Sequence, residues 1–497
     1  MTRALGALLL CAAAAMAQGP VYRERWADMH LERMRELVLR ESRARDDATL
    51  QAVAGLVADG KDTPFQAAAR ALARLRGVAA DDAFVLRACT GAFVLPEVVD
   101  PASSRADCHA LHLSMQLPHV LPIPGEVEFE VAAFDGAGEC VHRARFGKGA
   151  KLEDLRMAYT SHEVPAAELP DGRYRVRVAL WLDGREPRAT DPVLEYPFFV
   201  LRGYEQRVVA LREHAASPGR ELSPTARAVI VGMMLEVERA FQGEAFDGES
   251  DGVADLERAE HALANVIDGR PVLDGLHGAV PLGLPTGGAD VLGAVVALPP
   301  ADAAPRPLVV VAGMAPATSV DGARPLAPEA RSARWVWRRD GDFGLRDDAR
   351  VVWLQSPGGG LRYAQALPTA VAALHDLLRT DGRTVLVLEL EAAVALCFSP
   401  DVLQQVASGV VLVGAGALAQ PVLRRLGEVP VLGVPLSGHP SGAALRFTAD
   451  VAGGKQGPVD WSCRFELAPD APRPWVFGAA AARDRIAAFV RALPPKR

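Results

Sequence analysis

This 497-residue chain lacks several residue patterns that would indicate metal binding, nucleic-acid binding or insertion into a membrane. It has 6 cysteines, but no Cys-x-x-Cys pair and no His/Cys cluster with zinc spacing. The net charge of -7 provides no broad cationic surface, so nucleic acid is not expected as a partner. Beyond the amino terminus, no apolar run approaches the roughly 20 residues of a membrane span. We therefore expect no metal, no cofactor, no nucleic acid and no membrane-spanning helix.

One acidic loop resembles a calcium site without completing it. The stretch from Asp247 to Gly252 (Asp-Gly-Glu-Ser-Asp-Gly) has the composition of the first half of a calcium-binding loop. The position where such a loop needs a bidentate glutamate is Arg258. The stretch is therefore interpreted as a solvated loop between helices.

The first 17 residues are predicted to form a signal peptide. Arg3 supplies a positive charge, residues 4–15 are apolar, and Ala15-Met16-Ala17 gives a small-x-small cleavage pattern before Gln18. Leu10 is too large for the position before a lipid-modified cysteine, so lipid anchoring of Cys11 is disfavoured. We expect an exported protein, periplasmic or extracellular, that is cleaved near Ala17-Gln18.

Five cysteines would remain after cleavage: Cys89, Cys108, Cys140, Cys397 and Cys463. An odd number in an oxidising compartment leaves at least one thiol free. Because Cys89, Cys108 and Cys140 share one region, a disulfide among them is an open prediction, with the pairing undecided.

Changes in hydrophobic period divide the first 275 residues into three parts. Residues 18–83 have helical spacing, with Pro64 placed to begin one helix. Residues 84–202 alternate with a period of two between turn signals, which predicts a β-sandwich. Residues 203–275 return to helical spacing and form a connector. Within the sandwich, Leu169–Val178 resembles a hairpin of the immunoglobulin-like modules in secreted bacterial proteins, which usually act as spacers or binding surfaces.

Residues 276–497 alternate between buried strand patterns and helices, which is typical of a parallel sheet covered on both faces. A hairpin comes first, followed by Pro307-Leu-Val-Val-Val-Ala-Gly and by Arg350-Val-Val-Trp-Leu-Gln, which runs into Ser-Pro-Gly-Gly-Gly. Helices and strands alternate from there. This order resembles the α/β-hydrolase superfamily, particularly its peptidase- and esterase-like branches. The predicted fold class is therefore multidomain α and β, with a doubly wound hydrolase-like sheet at the carboxyl terminus.

The resemblance implies a catalytic triad whose positions are not filled in this chain. The strand at Thr384–Leu388 should end in a G-x-S-x-G turn, but the sequence there is Glu389-Leu-Glu-Ala-Ala, with Glu391 in the nucleophile position. No G-x-S-x-G occurs anywhere in the chain, and no histidine follows His439. The acid is expected after the strand at Val429–Val434, and no carboxylate occurs in Pro435–His439. Without nucleophile and base, the usual mechanism loses most of its rate enhancement.

Weaker candidates remain at the ends of the predicted strands. Gly313 and Met314 occupy the place of the oxyanion loop, where backbone amides would form a polar pocket whatever the side chains. Ser356 and Ser437 are alternative nucleophiles, and His439 is the histidine that could serve either of them. The alternative is that these residues have no functional role and belong to an ordinary glycine turn and to polar loops.

Three functional hypotheses follow. The first is an exported protein whose hydrolase fold has become a binding or scaffolding domain. The second is a divergent secreted serine hydrolase, an esterase or peptidase, using Ser356 or Ser437 with His439. The third gives the sandwich the main role, as a module that binds a polysaccharide, peptide or protein ligand.

Overall fold

The computed structural model describes residues 64–116, 126–151, 160–216, 221–242, 251–288, 291–298, 304–312, 345, 348–354, 360–389, 400–413, 429–435, 465–468 and 480–494, together with residues 34, 37, 38 and 41. The helices within these ranges are α1 Pro64–Arg76, α2 Asp82–Cys89, α3 Tyr204–Ala216, α4 Pro224–Gln242, α5 Gly252–Ile267, α6 Gly360–Leu378, α7 Pro400–Val406 and α8 Ala480–Ala492. The strands up to residue 200 are β1 Gly91–Leu95, β2 Val98–Val99, β3 Ala110–Gln116, β4 Glu126–Phe134, β5 Cys140–Lys151, β6 Thr160–Pro165, β7 Gly172–Leu182 and β8 Leu194–Val200. Those that follow are β9 Gly278–Pro285, β10 Val291–Leu298, β11 Arg306–Ala312, β12 Arg350–Leu354, β13 Thr380–Glu389, β14 Gly409–Val413, β15 Val431–Val434 and β16 Phe465–Leu467.

Two small sheets lie between residues 91 and 200. One has the order β1-β3-β6 and the other β2-β8-β7-β4-β5. Leu113 and Val164 of the first share an apolar core with Val131 and Val176 of the second. Alternate residues on each strand enter this core, as the period-two pattern predicts. Helices α1 and α2 contribute Leu72 and Phe84 to the same core.

The largest sheet has eight strands in the order β16-β15-β14-β13-β11-β12-β10-β9. β9 and β10 form an antiparallel hairpin, β10 is antiparallel to β12, and every other neighbouring pair is parallel. A hairpin followed by parallel strands that alternate with helices is the order of elements predicted from the sequence. The chain is thus a mixed α and β protein with several sheets.

Both faces of this sheet are covered. Along β13, Leu386 and Leu388 enter one core with α6 and the connector helices, whereas Val385 and Val387 enter a second core with α8. This arrangement explains why the strands are continuous apolar runs rather than alternating ones.

A contact between two glycines brings helix α4 directly onto strand β9. A Cβ atom at Gly232 would lie 1.9 Å from the backbone nitrogen of Gly283, and one at Gly283 would lie 2.2 Å from the carbonyl oxygen of Ala228. Only glycine fits at either position, so this pair fixes how the connector helices sit on the large sheet.

Hydrogen bonds also join the small sheets to the connector helices. The buried carboxylate of Glu97 accepts a bond of 2.9 Å from the backbone N–H of Gly252, at the start of α5. Asp100, fully buried, accepts bonds from the N–H groups of Gly203 and Glu205, at the start of α3. Anionic side chains at helix amino termini satisfy donors that have no partner within the helix.

Two expectations from the sequence need correction. The strand region was expected to begin near Phe84, but residues 82–89 form helix α2, because the Asp81 carboxylate caps its first turn by accepting from the N–H of Phe84. The open prediction of a disulfide is wrong for the three cysteines concerned. Cys89, Cys108 and Cys140 are all free thiols, with Cys89 and Cys108 buried in different cores and Cys140 exposed.

Among the described helices, none is both long and apolar enough to cross a membrane.

Candidate functional site

The carboxyl ends of the parallel strands meet at one edge of the large sheet. Ala312 at the end of β11 is in register with Leu354 at the end of β12 and with Leu388 on β13. Further along, Val413 at the end of β14 pairs with Glu389 and with Val434. Ligands of open α/β sheets bind outside this edge, so it is the candidate site.

The residues singled out from the sequence follow these strand ends along the chain. Gly313 and Met314 follow β11, Ser356 follows β12, Glu391 follows β13, and Ser437 and His439 follow β15. All six lie outside the described residues, and the contacts predicted for them remain predictions. The structure describes the strands that precede these residues. The strands are in register, and each of them ends a few residues before a candidate residue in the sequence.

Strand β13 is the element on which the nucleophile position depends. It lies between β11 and β14, and Val385–Leu388 are fully buried. The strand ends at Glu389, so Glu391 follows this interior strand by two residues in the sequence. No serine or threonine occurs in the following stretch from Leu390 to Phe398.

A histidine and two threonines form a cluster at the other edge of the sheet, which sequence reasoning missed. His375 Nε2 lies 2.8 Å from Thr384 Oγ1, and its Nδ1 is hydrogen-bonded to the Thr380 hydroxyl. Thr384 lies about 17 Å along β13 from its carboxyl end, at ~3.3 Å per residue. Because the Thr384 side chain is also buried, this histidine ties the end of α6 to β13 and does not belong to the candidate site.

A pair of histidines lies between the two small sheets. Nε2 of His142 on β5 and Nε2 of His162 on β6 are 3.0 Å apart, and the His162 ring stacks on Phe146 with ring centroids 5.1 Å apart. Partial burial lowers the pKa of His142. Burial and then the proximity of His142 lower the pKa of His162, against an opposing effect of Glu163. The pair can form one N–H···N bond when at most one of the rings is charged.

No cluster of three or more histidine, cysteine or acidic side chains suited to a metal ion occurs among the described residues. Two histidines alone fall short of the three or four protein ligands typical of zinc sites.

Comparisons with known proteins give only remote likenesses. No family model matches the chain, and no curated protein matches it by sequence. Among solved structures, an esterase from Pyrobaculum calidifontis is 10% identical, with 50% of this chain and 95% of the esterase covered and a TM-score of 0.32. One of two fungal esterases from Rhizomucor miehei is also 10% identical, covering 55% of this chain and 98% of its own, with a TM-score of 0.33. A bacterial heroin esterase is 12% identical, with coverages of 48% and 91% and a TM-score of 0.30.

At TM-scores this low, the overlap with esterases does not establish a relationship. The hydrolase-like assignment of the large sheet therefore depends on the order and direction of its strands.

Proposed function

We propose that this chain is an exported protein whose α/β-hydrolase-like domain has lost hydrolase activity and serves as a binding or scaffolding domain. One observation carries the proposal. Interior strand β13 ends two residues before Glu391, so the position at which a nucleophile is expected holds a carboxylate. A carboxylate is not the activated hydroxyl that acyl transfer by a serine hydrolase requires.

The remaining triad positions support the same conclusion. The sequence after β16 has no histidine, and the segment after β15 from Pro435 to His439 has no carboxylate. In serine hydrolases these residues act as a unit, so the loss of all of them removes nearly all of the catalysis. Backbone amides at Gly313 and Met314 would leave a polar pocket able to bind a ligand without transforming it.

The proposed organisation comprises a signal peptide at residues 1–17, a helical segment at 18–83, an immunoglobulin-like sandwich at 84–202, a helical connector at 203–275 and the hydrolase-like domain at 276–497. The start of helix α2 at Asp82 makes it part of the elements that pack on the sandwich core.

Activity is tested with the purified mature chain on short-chain nitrophenyl esters and on a peptide substrate, with a serine-directed fluorophosphonate as inhibitor. We expect no turnover above the uncatalysed rate and no covalent labelling of any serine. A matched variant, His439→Ala, separates the competing hypothesis. Fluorophosphonate-sensitive turnover that disappears in this variant would establish a divergent hydrolase based on Ser356 or Ser437.

Export is tested separately, by expressing the full chain in a bacterial host and sequencing the amino terminus of the periplasmic or secreted product. We expect a mature start at Gln18, and we expect a Leu9→Arg substitution in the apolar run to retain the chain in the cytoplasm. An uncleaved wild-type chain in the cytoplasm would contradict the proposed localisation.

A further inference from the structure

The outer face of the five-stranded small sheet carries five arginines on two of its strands. On β7, Tyr174, Val176 and Val178 point into the core, so Arg173, Arg175 and Arg177 point away from it. Strand β5 adds Arg143 and Arg145, which are opposite Ala132 and Glu130 of the intervening strand β4.

The centre of this face is a small residue flanked by two arginines. Ala132 is the register partner of Arg143 on one side and of Arg177 on the other, and it is only 2% exposed. The Nε atom of Arg177 is buried and has no hydrogen-bond partner among the described residues. Because both arginines are on the same face of the sheet, on the strands either side of this alanine, their positive charges add at this position.

Two glutamates of this face are each paired with one of the five arginines. Glu130 lies 2.8 Å from Arg145, and Glu195 lies 3.5 Å from Arg175 although it is the register partner of Arg177. Within the described part of the chain, Arg143, Arg173 and Arg177 form no ion pair. The same face also carries Glu126, Glu128, Glu130 and Glu195, so its five arginines exceed its glutamates by one, on a chain whose net charge is -7.

Aromatic rings lie near three of the guanidinium groups. Arg145 lies over the Trp181 ring, 3.5 Å from its centroid, and Arg175 lies 5.8 Å from the centroid of Phe134. Arg173 lies at the same distance, 5.8 Å, from the Phe199 ring. The Arg145 guanidinium is close enough to stack on its ring, and the two contacts at 5.8 Å lie within cation–π range. Such contacts restrict the arginine side chains, so less entropy is lost when a carboxylate binds.

We propose that this arginine face, formed by Arg143, Arg173, Arg175 and Arg177 around Ala132, binds an acidic polypeptide segment in extended conformation. Alternate side chains on β7 repeat about every 6.7 Å, and alternate side chains of an extended peptide repeat at the same distance. A segment with Asp or Glu at every second position therefore presents one carboxylate to each arginine of the row. Guanidinium and carboxylate groups match in planar, paired hydrogen bonds. This function is independent of whether the large sheet retains any hydrolase activity.

The test uses the full mature chain and measures fluorescence anisotropy of labelled peptides at low and moderate salt. One probe alternates Glu and Ser, and the second has the same composition with all the glutamates in one block. Polygalacturonate is the competitor that represents an acidic polysaccharide. The test variant is Arg143→Gln/Arg177→Gln, and the matched control is Arg270→Gln, which removes an exposed arginine paired with Asp268 on the connector.

We expect the alternating peptide to bind with an affinity that falls as salt rises, and to bind about tenfold more weakly to the double variant, since each exposed ion pair contributes up to about fivefold. The Arg270→Gln control should bind as the wild type does, and all variants should melt at the same temperature. Equal affinity of wild type and double variant would overturn the proposal. Equal binding of the block peptide, or binding of polygalacturonate without the alternating peptide, would overturn the assignment of an extended acidic polypeptide.

Discussion

The large sheet is buried on both faces, whereas the five-stranded small sheet is buried on one face and exposes side chains on the other. In the large sheet, interior strands such as Val385–Leu388 and Gly409–Val413 are buried on both faces by helices. In the small sheet, β7 buries Val176 and Val178 on one face and presents Arg173 and Arg175 on the other. A sheet covered on both sides can carry chemistry only at its strand ends, whereas a sheet covered on one side can also use its face.

This difference separates the two parts of the proposed function. The candidate site of the large sheet depends on residues that follow the strand ends, such as Glu391 and His439. There the proposal rests on the missing serine nucleophile and on the missing histidine after β16. The arginine face depends on side chains within strands, whose relative positions are fixed by backbone hydrogen bonding.

The largest effect is expected where a helix lies directly on the large sheet. Gly232→Ala places a Cβ atom 1.9 Å from the backbone of Gly283, which cannot move without displacing β9. We expect a loss of about 4 kcal/mol or more in the free energy of unfolding, measured by urea denaturation. The control is Gly136→Ala on the small-sheet hairpin, where the nearest atom would be 3.8 Å away and the change should be nearly neutral. Similar stability of the two variants would show that α4 does not pack on β9 in this way.

A buried ion pair supports the small sheets. Arg87 on α2 and Asp191 on the segment before β8 are bonded to each other, with side-chain exposures of 5% and 0%. Asp191→Asn leaves the guanidinium buried without its carboxylate, and we expect it to reduce the free energy of unfolding by about 3 kcal/mol. Asp268→Asn, which breaks the exposed pair with Arg270, should cost less than about 1 kcal/mol. Equal losses in calorimetry would mean that Arg87 is reached by water.

A matched pair of threonine substitutions tests the contrast between the sheets directly. Val387→Thr in β13 keeps the shape of the side chain but buries a hydroxyl group, and we expect a loss of about 1–3 kcal/mol. Arg173→Thr on the exposed face of β7 should change stability by less than about 0.5 kcal/mol. If the arginine substitution proves the more costly of the two by urea denaturation, the outer face of β7 is structural rather than available for binding.

The smallest effect concerns the histidine pair between the small sheets. The lowered pKa values of His142 and His162 mean that the unfolded chain takes up protons that the folded chain does not as pH falls below about 6.5. The melting temperature should therefore be highest above that pH and should fall below it, with a contribution under about 1 kcal/mol because both rings are partly solvated. His162→Gln should flatten this dependence between pH 7.5 and 5, whereas His214→Gln, at an exposed position on α3, should leave it unchanged. Parallel pH profiles for wild type and His162→Gln would contradict the prediction.

Much of the fold could be predicted from hydrophobic period alone. Runs such as Leu308–Ala312 and Val385–Leu388 are too short and too β-branched for helices, and Pro64 marks where α1 begins. The segment at residues 82–89 misled the same reasoning, because a short apolar run suits a buried helix as well as a strand. Its helix is decided by the Asp81 cap and by burial of Phe84 against the sheets.

The alternation of strands and helices and the lack of serine from Leu390 to Phe398 can be read from the sequence alone, because both depend on residues close together in the chain. The contacts of Gly232 with Gly283 and of Arg87 with Asp191, the separation of three cysteines, and the positions of Arg143 and Arg177 on either side of Ala132 become apparent from the folded structure. These pairings join residues far apart along the chain. They follow from strand register and from the packing of helices on sheets. Neither the register nor the packing can be predicted from a short stretch of sequence.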